Sequence, residues 1–245
     1  MGEKSLELLV NENFVYAKVL DYFGVKFYEE RHKTLTQVCQ ENAIDEEKLI
    51  AILEQSSSRR APEYLDLRNY PVRLIVEYLK HSHQIFIKDT LPYILKKIEE
   101  LDKNHKQELA HDLKVILPMF VEDFIHHIHE EEDRLFTYVC DLEHIVNGQE
   151  KPQKLANKLD DFSIQEFALH HNDSDHDMKG IRGITNQYDL DKIVDPQLRV
   201  VYKELHKFDE ELIKHANIEN DILFPKALSL EKKARLLMSS KLGLN

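Results

Sequence analysis

The chain has 245 residues, with 33 lysines and arginines against 45 aspartates and glutamates, which gives a formal net charge of −12. This length is enough to bury a substantial core, and the acidic balance disfavours a nucleic-acid backbone as the main partner, since phosphate binding needs clustered cations. Only 6 glycines and 7 prolines are present, which disfavours β-sandwiches, barrels and glycine-rich nucleotide loops, whereas 14 histidines suggest metal binding.

The N-terminus and the cysteines favour the cytoplasm. The chain carries charge from residue 3 onward and has no apolar region typical of a secretory signal. No apolar run approaches the roughly 20 residues of a membrane span. Cys39 and Cys140 stand apart, without a CxxC pair, which fits a reducing compartment. We therefore expect a cytoplasmic protein that does not engage a membrane.

Apolar residues at helical spacing predict a small helical unit at the start of the chain. Its helices are expected over 6–22, 34–41 and 44–55, within an N-terminal domain of residues 1–57. The serines, arginines and prolines that follow predict a linker over 58–71.

Four long amphipathic stretches follow the linker, each long enough to cross a bundle. They cover 72–102, 106–146, 162–188 and 195–227, and a short basic helix is expected over 230–241. No segment alternates with the period of a strand over a useful length. We therefore predict an all-α fold, with an up-down four-helix bundle over 72–230 and a C-terminal tail over 231–245.

Two histidine–glutamate pairs give the strongest functional indication. His215 and Glu219 lie four residues apart in HANIENDILFP, and His127 and Glu131 have the same spacing in HHIHEEEDRLF. Residues four apart project from one helix face. Two such pairs on facing helices bring together two imidazoles and two carboxylates, a donor set that suits a di-iron or di-manganese centre rather than a structural zinc. For either pair alone, a surface ion pair is the plain alternative.

Histidines on the other two bundle helices are further candidate ligands. The third helix carries His176 within DHDMKG. The first carries His81 and His83, of which only one can face inward.

The acidic run EEED at 130–133 is expected to form mainly a solvated face. Only Glu131 shares the face of His127, because its two neighbours are rotated about 100° to either side. We therefore expect Glu131→Ala to remove a metal site, while Glu130→Ala and Glu132→Ala leave it intact.

The pattern H-x-x-x-E-x-x-x-L-F on the second and fourth helices, together with DHDMKG on the third, resembles the hemerythrin-like (HHE cation-binding) domain. More narrowly, it resembles the di-iron iron–sulfur cluster repair family, whose members combine this domain with a short N-terminal domain. The resemblance covers roughly residues 16–55 and 72–228. It implies a hemerythrin-like bundle that holds two non-haem iron ions, bridged by an oxo or hydroxo group and by carboxylates.

The resemblance also implies one histidine from each of four helices and two bridging glutamates. On this chain they fall on His127, Glu131, His176, His215 and Glu219, with His81 or His83 from the first helix. Counted back from Leu91-Pro92, the family's first-helix position is Gln84. His81 lies about 60° from that face and His83 about 100°, which mildly favours His81.

The N-terminal unit departs from the family. Tyr28-Glu29-Glu30-Arg31 stands where the family carries adjacent cysteines followed by two glycines. No thiolate pair is therefore available there to hold or pass iron or a cluster.

Three functions of different classes follow from these observations. The first is an iron–sulfur cluster repair protein of the nitrosative or oxidative stress response, with damaged iron–sulfur proteins as partners. The second is a carrier or sensor of a small diatomic ligand, oxygen or nitric oxide, without turnover, which the missing cysteine pair favours. The third is a helical bundle without metal, which the spacing of the ligands disfavours.

Overall fold

A computed structural model describes residues 1–58, 67–101, 108–151, 162–174, 178–191 and 193–241. Within these ranges the regular secondary structure is helical and no strand is present, which confirms the predicted all-α class. No helix in the same ranges is both long and apolar enough to cross a membrane.

The N-terminal unit consists of four short helices. They are α1 (Leu6–Glu12), α2 (Val15–Tyr22), α3 (Leu35–Glu41) and α4 (Glu46–Ser58). The single helix predicted over 6–22 is wrong, because Asn13 has an extended backbone and its Oδ1 accepts a hydrogen bond from the Val15 N–H at 3.1 Å. The apolar side chains of this unit form their own core, which Val200 of the bundle completes.

Three long helices of the bundle each contain one π-helical segment between two α-helical segments. Helix α5 comprises Val72–Ile85, Phe86–Thr90 and Leu91–Glu99, after a 3₁₀ turn at Leu67–Asn69. Helix α6 comprises Glu108–Glu130, Glu131–Phe136 and Thr137–Val146. The third stretch of chain that crosses the bundle contains, among its described residues, two helices, α7 (Ile164–Ser174) and α8 (Lys179–Ile184). Helix α9 comprises Pro196–Ile218, Glu219–Leu223 and Phe224–Lys241.

Neighbouring crossings run antiparallel. The first part of α5 packs on the last part of α6, and the last part of α5 packs on the first part of α6. Helix α8 packs on the first part of α6, and α7 packs on the last part of α9. The first part of α9 returns along the last part of α5. This is the up-down arrangement that the sequence predicts.

Two predicted helix boundaries in the bundle are wrong. The helix predicted over 162–188 ends at Ile184, because Asn186, Gln187 and Tyr188 have positive φ angles of 49°, 59° and 61°. The separate helix predicted over 230–241 is instead the end of α9, which continues because Ala234 is buried in the bundle core.

The bundle core forms two apolar layers. One layer draws on residues 72–79 of α5, 135–145 of α6 and the part of α9 from Ile218 onward. The other draws on 86–98 of α5, Leu101 just after it, 113–128 of α6 and 198–208 of α9. The gaps between the layers carry His83, Glu131 and His215, and Glu219 directly follows Ile218 at the edge of the first layer.

Candidate metal centre

Four buried polar side chains meet between the two apolar layers. They are His83 of α5, Glu131 of α6, and His215 and Glu219 of α9, and one possible ligand atom from each lies within 4.8 Å of the other three. Their exposed fractions are between 1% and 6%. Gathering imidazoles and carboxylates out of water in this way is costly unless hydrogen bonds or a cation compensate.

The two imidazoles face each other inside this cluster. His83 Nε2 lies 3.0 Å from His215 Nε2 and 3.3 Å from Glu131 Oε2, and His215 Nε2 lies 3.3 Å from Glu219 Oε1. Two imidazole nitrogens that each lie about 2.1 Å from one divalent cation, at a right angle, are about 3.0 Å apart. The donor set therefore fits a metal ion, and mixed imidazole and carboxylate ligands suit iron.

The two ring nitrogens of His215 have different surroundings. Nε2 is directed toward the other donor atoms of the cluster. Nδ1 is buried and has no hydrogen-bond partner among the described residues. Phe86 packs edge-on against the ring, with ring centroids 5.8 Å apart.

The carboxylates of the cluster raise the pKa of His83. Burial alone lowers that pKa, but the hydrogen bond and charge of Glu131, followed by Glu132 and Glu219, outweigh the burial. The position of His83 Nε2 is therefore one where positive charge is favoured.

Glu131 lies between two histidines. Its Oε2 faces His83, and its Oε1 lies 3.1 Å from Nε2 of the partly exposed His127. One carboxylate oxygen thus points to each side, an arrangement suited to a carboxylate shared by two metal ions.

Glu132 contacts the cluster from its outer side. His83 Nδ1 lies 2.8 Å from Glu132 Oε1, where an Nδ1–H donates to the carboxylate. The expectation that Glu132 faces only solvent is wrong, because a rotation of about 100° from Glu131 brings it to the seam between α6 and α5. Metal-binding histidines usually donate their other N–H to such a carboxylate, so Glu132 fixes the orientation of His83.

The π-helical segments coincide with the cluster. Glu131 is the first residue of the π-helical segment of α6, and Glu219 is the first residue of the one in α9. His83 lies three residues before the π-helical segment of α5. Such segments are rare and frequently occur at functional sites. The motif H-x-x-x-E-x-x-x-L-F therefore spans the change from α-helix to π-helix in both α6 and α9.

The structure separates the two first-helix candidates. His83 is buried in the cluster, whereas His81 is exposed and lies outside it. The preference for His81 assumes that Gln84 faces the inside of the bundle. Gln84 is exposed, so that preference is wrong. The remaining predicted ligand, His176, lies outside the described residues.

The similar proteins found by comparison with known proteins all carry the same name. No family model matches the chain. The iron–sulfur cluster repair protein YtfE of Pectobacterium atrosepticum is 24% identical over 203 residues, which are 80% of this chain and 83% of that protein. The proteins of the same name from Citrobacter koseri and an Escherichia coli strain are 21% identical over 201 residues, 81% of this chain and 84% of theirs. These matches confirm the likeness to iron–sulfur cluster repair proteins that the motifs indicate: over about four-fifths of its length the chain is similar to proteins of that name.

Proposed function

We propose that this protein is a cytoplasmic non-haem di-iron protein that acts in the repair of iron–sulfur clusters damaged under nitrosative or oxidative stress. The observation that carries the proposal is the buried group of His83, Glu131, His215 and Glu219, with ligand atoms within 4.8 Å of one another. The repair role is supported by the relatives named iron–sulfur cluster repair proteins, which match about four-fifths of the chain.

The two irons would take different ligands. His83 and His215 would hold the first, and Glu131 and Glu219 would contribute carboxylate oxygens to the centre. His127, which lies 3.1 Å from Glu131 Oε1, would hold the second, with His176 as its predicted partner. Bound iron supplies a redox-active Lewis acid that can take a diatomic ligand or be passed to a damaged cluster.

The surrounding side chains would fix the orientation of the ligands and exclude water from them. Glu132 accepts the Nδ1–H of His83, and Phe136 stacks on the same ring with centroids 5.7 Å apart. The apolar layers on both sides of the cluster exclude water, which strengthens the attraction between the carboxylates and a cation.

A carrier or sensor of nitric oxide or oxygen is the second candidate, and Tyr28 favours it. Tyr28 begins the segment that replaces the family's cysteines. Its hydroxyl donates to Glu100 Oε2 at 3.3 Å, and the Lys97 ammonium lies 5.5 Å from its ring centroid. The residue therefore serves to pack the N-terminal unit on the bundle, where the family offers thiolates.

Reactivation of a damaged enzyme distinguishes these two functions. A dehydratase whose [4Fe–4S] cluster has been damaged by nitric oxide is mixed with the iron-loaded protein, and its recovered activity is measured. Repair predicts recovery with the parent protein and the Glu130→Gln control, but not with Glu219→Gln. A reversible, nitric-oxide-dependent absorption change without recovery would favour the carrier. Equal recovery with free ferrous iron at the same concentration would contradict repair.

A further inference from the structure

A groove runs between the N-terminal unit and the bundle beside the candidate metal centre. Its volume is about 390 Å³, within the range of about 300–1,000 Å³ of small-molecule sites. Helix α2 contributes Val15 and Lys18 to it, and the other walls come from α5 and α9. The stripe of α9 that lines the groove extends from Glu204 to Ile218, which is about 21 Å at 1.5 Å per residue. The groove is therefore elongated.

The walls of the groove are largely apolar. Ile85, Phe86, Phe208 and Ile218 line it, together with one face of His215. Phe86 also packs against the His215 ring, so the groove and the metal centre share a wall. A molecule in the groove would contact a candidate iron ligand without entering the cluster itself.

The charged side chains that line the groove are three lysines and two glutamates, which leaves an excess of one positive charge. Lys214 is paired with Glu211 at 2.9 Å, whereas Lys18 and Lys207 have no ion-pair partner in the part of the chain that the structure describes and share the field of a single acid, Glu204. This local excess contrasts with the net charge of −12 of the whole chain.

Glu204 is a buried acid that the rest of the fold does not use. Its exposed fraction is 7%, it faces the groove, and among the described residues it has no hydrogen bond or ion pair. Burial raises the pKa of Glu204, against the smaller opposing effects of Lys207 and Lys18. An acid that takes up its proton more readily repels an incoming anion less, and an acid with a shifted pKa that faces a cleft is a candidate for a functional site.

We propose that this groove binds a small, elongated, apolar monocarboxylate, with its carboxylate near Lys18 and Lys207 and its apolar chain along Phe208 and Phe86. The apolar walls bury the chain, and the two lysines compensate the charge. The groove does not depend on the proposed function. Only its influence on the metal centre, through the shared wall at His215, rests on that function.

Calorimetric titration with decanoate tests the proposal, with decylamine as a probe of the same chain length and opposite charge. We expect saturable binding of decanoate to one site in both iron-loaded and metal-free protein, and at least tenfold weaker binding of decylamine. The double substitution Lys18→Glu and Lys207→Glu should weaken decanoate binding at least tenfold. Lys48→Glu with Lys88→Glu, a pair of exposed residues outside the groove with the same charge change, should not.

A variant that fills the groove distinguishes binding inside the groove from non-specific attraction of an anion to the lysines. Ile85→Trp, at a groove position that is 40% exposed, should prevent decanoate binding, while Val194→Trp, at an exposed site elsewhere, should not. Equal binding of decanoate and decylamine, no binding of decanoate, or full binding by both the lysine double variant and Ile85→Trp would overturn the proposal. Iron content is measured separately, so a protein that binds decanoate but no iron would contradict the proposed function alone.

Discussion

At the scale of single residues, the candidate centre depends on side chains beyond its ligands. Glu132 lies 2.8 Å from His83 Nδ1, yet its own side chain is 32% exposed. Its carboxylate therefore acts on the cluster through the His83 ring that it orients. Glu130, on the other side of Glu131, instead pairs with Arg134 at the surface.

Removal of the Glu132 carboxylate should weaken the metal site without eliminating it. We expect Glu132→Ala to lower iron affinity about 10–100-fold, because His83 loses the acceptor that fixes its orientation. Glu132→Gln should restore part of the loss, since an amide oxygen can accept the same hydrogen bond. Competition with a chelator measures these affinities. Equal affinities of Glu132→Ala and the control Glu130→Ala would show that Glu132 has no positioning role.

Glu204 should impose a pH-dependent cost on folding. Burial raises its pKa above the ordinary value of 4.5, so the folded state binds more protons than the unfolded state as pH rises from that value. Stability is therefore lost as pH rises through the folded pKa. Glu204→Gln should be more stable than the parent at pH 7.5, and the difference should shrink toward pH 4. Urea unfolding at both pH values measures it, and a gain that is independent of pH would contradict this explanation.

At the scale of elements, the bundle helices can be predicted because an apolar stripe every 3.6 residues determines them. The breaks cannot be predicted in the same way. Asn13 interrupts the first helix through one side-chain hydrogen bond, and the left-handed turn at 186–188 is held by Asp209, about twenty residues away. The π-helical segments coincide with polar side chains that meet across helices, and such contacts are not encoded in the periodicity of a single segment.

The candidate ligands divide in the same way: local spacing predicts some of them, and packing between helices determines the others. The pairs His127–Glu131 and His215–Glu219 are predictable, because a spacing of four fixes a shared helix face. The choice of His83 over His81 depends on the rotation of α5, which packing of Phe86 and its neighbours determines. The contact between Glu132 and His83 joins two helices and is therefore invisible to periodicity.

The segment after α8 is anchored to α9 by Asp209. Arg182 donates to both Asp209 oxygens at 2.7 and 2.6 Å, and the Tyr188 hydroxyl donates at 2.8 Å. Asp209→Ala leaves both donors without their acceptor, so we expect a loss of about 3 kcal/mol in the free energy of unfolding. Chemical denaturation measures this loss. The matched removal of an exposed pair, Glu130→Ala, should cost less than about 1 kcal/mol, and a similarly small loss for Asp209→Ala would disprove the anchor.

At the scale of the whole molecule, a buried lysine joins the N-terminal unit to the bundle. Lys97 is 1% exposed, and its ammonium lies 2.7 Å from Asp21 of α2 and 3.0 Å from Glu100. Val200 of α9 adds an apolar contact to the core of the unit. The unit therefore packs against the bundle through specific contacts, and the groove beside His215 lies along this same seam.

Metal binding should stabilise the whole fold. A ligand that binds only the folded state, at 100 times its dissociation constant, adds about 2.7 kcal/mol. For a chain of this size we therefore expect removal of iron by chelation to lower the melting temperature by about 5–10 °C. In the double variant Glu131→Gln and Glu219→Gln, chelation should have no effect. Identical melting of the parent protein before and after chelation would mean that the buried cluster does not hold a metal.

Iron content, measured together with the absorption spectrum, tests most directly whether the buried His–Glu cluster binds iron. After anaerobic loading with ferrous iron and removal of the excess, we predict about two irons per chain in the parent protein, the stoichiometry of carboxylate-bridged di-iron bundles. Glu131→Gln and Glu219→Gln should each lose iron and the associated absorption, while Glu130→Gln should retain both. A parent protein without bound iron, or the same iron content in all four proteins, would contradict the assignment of this cluster as the metal centre.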